Sequence, residues 1–400
     1  MKRLRNIMAG AAALVLALTL CVTAFGETRA YSDMAASIAA AEKAQMGVAQ
    51  DAPLLTEEKL PAGSSVSDWT ALAMARAGVA DDYAGYLSRL QSYVEQKYAE
   101  NGGLHEVKAT EYHRIALTAA ALGGDPTAFG TKPDGTAIDL VADGTYNWQG
   151  ENELGAQGLN GWIFALLAMD AVGAEAPADA RYSRESIVDT IVSAQLPEGG
   201  FALGGSDMDV DITAMALQAL APYQAQYPEV IDAALNALSA AQLPDGGFES
   251  WGAQSSESCA QVLLALTALD IDPESDERFQ KADGSVIDAL LAFRLADGSF
   301  AHQLGGQTDA MAGEQAMQAL AAMALRQQGA GRFFDLTSVH PVQLETTPDT
   351  TTETPAESGG SFPVLPVVLI VIAIVAVALV LILKKREKKA CLLYTSPSPR

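Results

Sequence analysis

The sequence has little cysteine, little histidine and few aromatic residues. It contains 3 cysteines and 4 histidines among 400 residues, and aromatic residues make up 6%. Cys21, Cys259 and Cys391 stand in three separate segments, so neither a disulfide framework nor a Cys-x-x-Cys metal site can be built from them. We therefore expect no metal and no cofactor, and a fold stabilised by packing alone.

Positive charge is also scarce. Lys and Arg total 25 against 49 Asp and Glu, which gives a formal net charge of −24. A field of this sign repels phosphate backbones, so we expect no nucleic-acid partner. Apolar residues reach 49% and charged residues only 18%. This composition can build a large core and excludes disorder over the whole chain.

The two ends of the chain predict an exported protein. Residues 1–26 combine a basic start, an apolar stretch and a closing run of small residues, which is typical of a signal peptide. Residues 362–383 carry no charge and are long enough to cross a bilayer, and the basic cluster 384–389 follows them at once. We predict an extracellular domain anchored in the cell membrane by one C-terminal transmembrane helix, with a short cytoplasmic tail.

Three further segments are predicted to lie outside the main domain. Residues 27–64 are predicted to form an N-terminal helical or linker segment. Residues 340–361 are rich in Thr, Pro and Glu and are expected to form an extended stalk. Residues 390–400 resemble translated sequencing-adapter read-through, so we attach no function to them.

A repeated pattern fills residues 65–339. A Gln, a short acidic turn, Gly-Gly-Phe and a polar loop precede an Ala/Leu-rich helix, as in residues 195–201 and 242–248. Second helices with polar faces lie between these helices. Helix pairs of this kind bury their apolar faces only by stacking. The repeat therefore predicts an all-α domain of about six helix pairs.

Six polar residues mark the predicted starts of the first helix in each pair. They are Asp68, Glu111, Asn160, Asp211, Ser258 and Glu314. Side-chain oxygens at these positions can cap the free amide groups of a helix N-terminus. If the helices are nearly parallel, the same residues would instead ring the mouth of the stack with polar groups. The sequence leaves both interpretations open.

The motif Gln-x-x-Asp/Glu-Gly-Gly-Phe followed by an Ala/Leu helix resembles the repeat of the terpenoid cyclase and protein prenyltransferase superfamily. Residues 147–161, 209–220 and 314–336 are further similar to bacterial surface proteins with prenyltransferase and squalene oxidase repeats. Some of those proteins are related to the helical domain of vitamin B12 carriers, and many are anchored at Gram-positive envelopes. The resemblance implies an α/α toroid, in which outer helices surround inner helices and an axial cavity.

The resemblance also implies two enzymatic alternatives. A class II terpenoid cyclase protonates an alkene with an Asp of an Asp-x-Asp-Asp motif. Asp211 would be that general acid and Asp209 its neighbour, but Ile212 replaces the final carboxylate. A protein prenyltransferase needs a zinc site of Asp, Cys and His. Cys259 and His302 do not have the matching spacing, so we expect Cys259 to be a small buried residue and His302, like His113, to be a packing or loop residue.

We therefore predict a toroid that binds a ligand and does not catalyse a reaction. Trp148 and Trp251 are the predicted stacking surfaces, and Gln157 and Asn160 their hydrogen-bonding neighbours. Asp209, Asp211 and Glu314 are predicted to form a polar rim. The expected ligand is a small molecule, corrinoid-like or lipid-like, or a surface partner. The resemblance to B12 carriers implies a separate β-domain protein as partner. An adhesive or scaffolding surface module is the remaining alternative.

Overall fold

The structure is a computed structural model that describes residues 29–150 and 152–344. Twelve α-helices form within these residues. They are α1 Tyr31–Gln45, α2 Ser65–Arg76, α3 Tyr83–Asn101, α4 Ala109–Ala121, α5 Leu140–Gly144, α6 Asn160–Ala171, α7 Arg184–Ser193, α8 Val210–Leu220, α9 Pro228–Ala241, α10 Ser256–Ala268, α11 Val286–Ala292 and α12 Ala310–Gln328. One hairpin pairs β1 Glu249–Ser250 antiparallel with β2 Ala253–Gln254. The regular secondary structure of the described residues is thus almost entirely helical, as predicted.

Successive helices differ in how much of their surface is buried. In α10, every residue from Ser256 to Thr267 is buried. By contrast, α3 buries a single stripe with helical spacing, formed by Tyr83, Tyr86, Leu90, Val94 and Tyr98. A stripe spaced by three and four residues covers one face of a helix. Helix α10 is therefore an inner helix, surrounded by protein, and α3 is an outer helix with one face on the core.

The inner helices form a closed ring. They pack in the order α2, α4, α6, α8, α10 and α12, and α12 packs against α2. The remaining helices lie outside this ring. Helix α1 packs mainly against α12, so it supplies an outer helix from residues 27–64, which were predicted as a separate segment. Six inner and six outer helices give the α/α toroid that the family resemblance implies.

The inner helices begin within about one turn of the predicted residues, but other side chains cap four of them, and α4 and α6 have no side-chain cap. Ser64, Asp209, Ser255 and Asp309 are the N-cap residues whose side chains accept hydrogen bonds from first-turn amides. The capping interpretation is therefore wrong for the six predicted residues, which lie inside the helices: Asp68, Glu111, Asn160, Asp211, Ser258 and Glu314.

The repeated Gln and Gly residues hold each turn against the next outer helix. Gln242 Nε2 donates hydrogen bonds to the carbonyl oxygens of Gly246 at 2.9 Å and Phe279 at 3.2 Å. Gly246 has φ +91°, and a Cβ at this position would overlap the carbonyl oxygen of Ser285. The aromatic residue of the motif, Phe248, is fully buried. The motif is therefore a structural element that locks successive helix pairs together.

Residues 329–344, which we call the C-terminal strap, close one end of the ring. Phe333 and Leu336 pack in an apolar cluster with Leu72, Leu117 and Leu264 of three inner helices. The Leu336 amide donates to the carbonyl oxygen of Ala171, the last residue of α6. The strap therefore covers the end where the inner helices finish, and the opposite end, where they begin, is the mouth of the ring.

The strap also includes residues that were predicted to belong to the stalk. The Asp81 amide donates to the carbonyl oxygen of Val342 at 3.2 Å, and the Leu344 amide donates to that of Asp81 at 3.1 Å. Residues 340–344 therefore pack on the toroid, and any extended stalk begins after them.

The other predictions for the chain ends fall outside the described residues. They concern the signal peptide 1–26, the remainder of the stalk, the span 362–383, the basic cluster 384–389 and residues 390–400. Within residues 29–150 and 152–344, no helix combines the length and apolarity needed to cross a membrane. The membrane anchor stays a prediction.

Candidate functional site

A cavity of about 210 Å³, which we call the axial cavity, lies inside the ring. Every inner helix contributes to its lining. The six inner helices contribute, in chain order, Trp69, Arg114, Asn160, Gln218, Gln261 and Glu314. Phe334 of the C-terminal strap also lines the cavity. Because all six inner helices meet there, the cavity lies on the ring axis, with the strap on the side away from the mouth.

Carboxamide side chains form a hydrogen-bonded network along one wall of the axial cavity. Gln218 Nε2 donates to Gln261 Oε1 at 2.9 Å, and Gln261 Nε2 donates to Gln315 Oε1 at 3.0 Å. Gln318 Nε2 donates to Glu314 Oε2 at 2.7 Å. These four glutamines come from three successive inner helices, α8, α10 and α12. The wall is therefore polar, and each amide presents both a donor and an acceptor.

Asn160 was predicted as a hydrogen-bonding residue, and it lies in the axial cavity. Its Oδ1 is buried and has no hydrogen-bond partner among the described residues. Gln157, the other predicted hydrogen-bonding residue, is absent from the cavity lining. Instead it accepts a hydrogen bond at 2.9 Å from Oγ1 of Thr110, which does line the cavity. Asn160 can therefore contact a ligand directly, whereas Gln157 positions a neighbour.

Arg114 is the one basic residue in the cavity lining, and its guanidinium is already paired. Nε donates to Asp68 Oδ2 at 3.0 Å, Nη1 lies 2.8 Å from Glu111 Oε2, and Nη2 donates to the carbonyl oxygen of Gly63 at 3.1 Å. Asp68 is fully buried and also accepts from Tyr86 Oη at 2.6 Å. Burial raises the pKa of Asp68 above its ordinary value, and the Arg114 charge opposes this rise without cancelling it.

Glu314 was predicted as part of a polar rim, but its carboxyl group is buried in the cavity wall. Burial raises its pKa to about 8, the hydrogen bond from Gln318 opposes this, and the nearby carboxylates of Glu42 and Glu257 add to the rise. At neutral pH the group is therefore mostly uncharged, because burial disfavours the ionised form. A protonated carboxyl group can donate as well as accept a hydrogen bond.

Asp209 and Asp211 lie at the mouth, outside the lining of the axial cavity. Asp209 caps α8 by accepting a hydrogen bond from the Ile212 amide at 3.0 Å. Asp211 is largely buried, and burial, reinforced by the charges of Asp209 and Glu257, raises its pKa to about 6 against the opposing Ser258 hydroxyl. Its Oδ1 has no hydrogen-bond partner among the described residues. Asp209 is thus a structural cap, and Asp211 is a buried carboxylate with one unpaired oxygen, one helical turn before cavity residue Met215.

Sequence reasoning missed Glu257, which forms the centre of a second polar group at the mouth. Its carboxylate accepts hydrogen bonds from Ser255 Oγ at 3.0 Å and Ser256 Oγ at 3.1 Å, and it lies 2.8 Å from His302 Nδ1. This contact raises the pKa of His302. His302 is therefore a loop residue, as predicted, with a carboxylate partner. The group is internally satisfied and lies outside the lining of the axial cavity.

Trp148 is not the exposed stacking surface that was predicted. Only 1% of its surface is exposed, its Nε1 donates to the carbonyl oxygen of Asn152 at 2.8 Å, and its ring meets Tyr112 edge-on. It borders an outer groove of about 560 Å³ between two loops. Two of its polar groups are already paired: Lys132 lies 3.1 Å from Asp143, and the Tyr112 hydroxyl accepts from the Leu104 amide.

Trp251 is fully exposed, which agrees with its prediction as a surface aromatic residue. It occupies the tip of the β1–β2 hairpin with φ 55°, next to Gly252 with φ 82°. Two successive left-handed residues form the turn that two-residue hairpins favour. A bulky side chain rarely adopts this conformation. The hairpin precedes α10, so Trp251 is at the mouth of the ring.

Potential metal ligands do not cluster in the described part of the chain, where no group of three His, Cys, Asp or Glu side chains could hold an ion. Cys259 is fully buried, and burial raises the pKa of its thiol to about 12. His113 is buried as well, and burial lowers its pKa to about 4. Both residues therefore serve as packing residues, as the sequence predicts.

Comparison with known proteins finds one family model and several solved structures that match the chain. The family model described as prenyltransferase alpha-alpha toroid domain matches residues 150–347. Matching solved structures include a Candida albicans protein geranylgeranyltransferase-I complexed with GGPP, at 12% identity and TM-score 0.48, covering 74% of this chain and 92% of that one.

A second matching structure is the ent-copalyl diphosphate synthase from Streptomyces platensis, at 19% identity and TM-score 0.40. The match covers 66% of this chain and half of the synthase. No curated protein sequence matches the chain significantly. The match to the toroid domain supports the predicted superfamily over residues 150–347, whereas structural likeness at this level carries no information on activity.

Proposed function

We propose that this member of the α/α-toroid superfamily binds a small ligand in its axial cavity and catalyses no reaction there. One observation carries the proposal: Asn160 lines a cavity formed by all six inner helices, and its buried Oδ1 has no partner among the described residues. A buried acceptor without a partner costs roughly 1–3 kcal/mol. A ligand that donates a hydrogen bond to this atom removes that cost.

The volume of the axial cavity limits the ligand. Pockets that enclose drug-sized ligands have volumes of about 300–1,000 Å³, whereas this cavity measures about 210 Å³. A corrinoid or a long isoprenoid chain is too large to be enclosed there. Such a ligand would instead need a second binding surface, as the predicted β-domain partner would provide.

The cyclase alternative has less support than binding. Asp211 lies outside the cavity lining, so it does not face the space where a substrate would be enclosed. One wall of the cavity consists of Gln218, Gln261 and Gln315, while Trp69, Phe164 and Phe334 supply aromatic rings elsewhere in the lining. A carbocation intermediate would react with such amide oxygens, whereas an apolar, aromatic wall would protect it. The polar wall therefore favours reversible binding.

A ligand screen with two matched variants tests the proposal. The full chain would be examined by native mass spectrometry against a chemically diverse set of small metabolites. Asn160→Leu should abolish binding of any hit, because the change removes the hydrogen-bonding group and fills the cavity. Asn147→Leu makes the same change in the outer groove and should leave binding intact. Hits that depend on Asn147 and not on Asn160 would refute the axial site.

A surface module is the second candidate function, and the exposed apolar residues at the mouth favour it. Leu203, Trp251, Leu304 and Met311 are exposed, and each lies just before or at the start of an inner helix. The exposed acids Asp207 and Glu249 lie in the same loops. Apolar groups set among acids suit a protein partner that carries basic residues around an apolar patch.

Cell adhesion distinguishes this second candidate from ligand capture. Trp251→Ala should weaken adhesion of cells to the immobilised full chain, and high salt should weaken it further. Val342→Ala is the matched control, because Val342 is an exposed apolar residue on the strap, at the other end of the ring. Equal effects of both variants would refute a specific surface at the mouth.

We also propose that the toroid acts outside the cell. An extracellular toroid held at a Gram-positive membrane through residues 362–383 would meet external ligands. The net charge of −24 is in keeping with this location, since it gives the chain no attraction to anionic lipid head groups. Protease digestion of intact cells tests it: the toroid should be cleaved from whole cells, and protection until the cells are lysed would refute it.

A further inference from the structure

The axial cavity offers a ligand no free cationic group at neutral pH, because its one guanidinium already pairs with two carboxylates. Three ionisable residues line it: Glu111, Arg114 and Glu314. Arg114 uses its three nitrogen atoms on Asp68, Glu111 and Gly63, so no guanidinium edge is left for an anion. Glu314 is buried and mostly protonated, since burial raises its pKa to about 8. An anionic ligand would therefore be desolvated without a counter-ion, and a cationic one would lie near Arg114.

The hydrogen-bonding groups in the cavity are mixed donors and acceptors. In the glutamine network, Gln218 Nε2 donates to Gln261 Oε1 and Gln261 Nε2 donates to Gln315 Oε1. The Nε2 group of Gln315 is therefore left as a donor without a protein acceptor among the described residues. Asn160 Oδ1 and Gln318 Oε1 are acceptors without a described donor. A hydroxyl group both donates and accepts, so several hydroxyl groups match such a lining better than a carbonyl or an amine does.

Flat aromatic rings form another part of the lining. Trp69 and Phe164 have ring centroids 5.8 Å apart and planes inclined by 52°, and Phe334 of the strap lies in the same lining. The face of an aromatic ring carries partial negative charge and attracts polarised C–H groups. The C–H face of a saturated ring that carries hydroxyl groups on its edge fits this combination of rings and amides.

We propose that the axial cavity binds a neutral, hydroxyl-rich ring compound of monosaccharide size, with its hydroxyl groups on the amides of α6 and α12 and its C–H face on Trp69. This inference rests on the proposed function, because it names the ligand class for the same cavity. A ligand of this size needs no second binding surface outside the ring.

Fluorine NMR on the full chain labelled with 5-fluorotryptophan gives a local readout. The chain has 4 tryptophans. Trp69 lies in the axial cavity, and Trp251 lies at the exposed hairpin tip, where it serves as an internal control. Each resonance is assigned by one Trp→Phe variant. A ligand in the axial cavity should shift the Trp69 resonance and leave the Trp251 resonance unchanged.

Three sugars that share one ring and differ in charge test the ligand class. The probes are D-glucose, its anionic relative D-glucuronate and its cationic relative D-glucosamine, with D-galactose and myo-inositol as further neutral probes. At least one neutral probe should shift Trp69, and it should bind at least tenfold more tightly than the charged probes. Gln315→Leu should weaken that binding by roughly 2- to 10-fold, the effect of one hydrogen bond, and Gln149→Leu in the outer groove should not.

The outcomes separate the ligand class from the cavity itself. If glucuronate, glucosamine, phosphate or choline shifts Trp69 while the neutral sugars do not, the ligand class is wrong and binding in the axial cavity stands. If no probe shifts the Trp69 resonance, the inference fails, whether or not the neutral sugars shift the Trp251 resonance. If the metabolite screen also yields no hit that depends on Asn160, the proposed function fails with it.

Discussion

Gln318 Nε2 donates a hydrogen bond to Glu314 Oε2 at 2.7 Å, one turn along the same inner helix. The pair lies in the wall of the axial cavity, where only 5% of either residue is exposed. An acid that is buried beside an uncharged amide, without a basic partner, prefers its neutral form. The contact therefore links the electrostatics of the cavity to the stability of the toroid.

The stability of the protein should fall as the pH rises through the range in which Glu314 loses its proton. Its pKa rises from an ordinary value of 4.5 to about 8 in the folded state. Between these values the folded chain holds more protons than the unfolded chain, so the free energy of unfolding decreases with pH. Glu314→Gln should reduce this decrease and raise the melting temperature at pH 8.

Part of the pH dependence of the free energy of unfolding should remain in Glu314→Gln. Burial also raises the pKa of Glu42 to about 7, and Asp211 contributes near pH 6. Glu185→Gln, on an exposed helix position, is the matched control and should leave the slope unchanged. Identical pH profiles for the wild type and Glu314→Gln would show that Glu314 is not buried as described.

The buried pair of Asp68 and Arg114 should be needed for folding. Arg114→Met leaves the fully buried Asp68 carboxylate without its counter-ion, so it should lower the free energy of unfolding by about 3–5 kcal/mol. Adding Asp68→Asn should recover much of this loss, because no buried charge then remains. Urea denaturation measures both changes, and a loss below about 1 kcal/mol for the single variant would indicate a solvated pair.

The repeat turn should not tolerate a side chain at Gly246. Gly246→Ala combines a left-handed backbone, with φ +91°, with overlap of the new Cβ on the Ser285 carbonyl oxygen. Gly205→Ala is the matched control, since φ is +87° there and no atom lies within 4 Å of the new Cβ. Thermal unfolding should show a clearly larger loss for Gly246→Ala, and equal losses would mean that the turn has room to move.

Much of the ring architecture follows from sequence, because the alternation of wholly apolar and one-sided helices is local. The Ala/Leu runs of α8 and α10 predict inner helices, and the stripe of α3 predicts an outer one. Closure of the ring is different, since it depends on α12 meeting α2 and α1 across most of the chain. No local pattern carries that contact.

The candidate site was less predictable than the fold. Asn160 and Glu314 were expected to carry function because they stand near helix starts, and both line the cavity. Trp148 was misassigned, because an aromatic residue in a polar loop can fold back into the core. The glutamines were missed although they left a signal: Gln218 and Gln318 are polar residues inside Ala/Leu helices, where burial demands a partner.

Asp211→Asn separates the binding account from the cyclase alternative. Because Asp211 does not line the axial cavity, the variant should bind the same ligand with unchanged affinity. It should also be slightly more stable above pH 6, since the buried charge is removed. Loss of turnover on an isoprenoid substrate, with ligand affinity intact, would favour the cyclase instead.

The position of the bound ligand tests the central claim most directly. A crystal of the protein in complex with its tightest small-molecule hit should show the ligand between α6 and α12, with a donor atom within hydrogen-bond distance of Asn160 Oδ1. Ligand density confined to the outer groove beside Trp148 or to the hairpin at Trp251, with the axial cavity holding only water, would contradict the account.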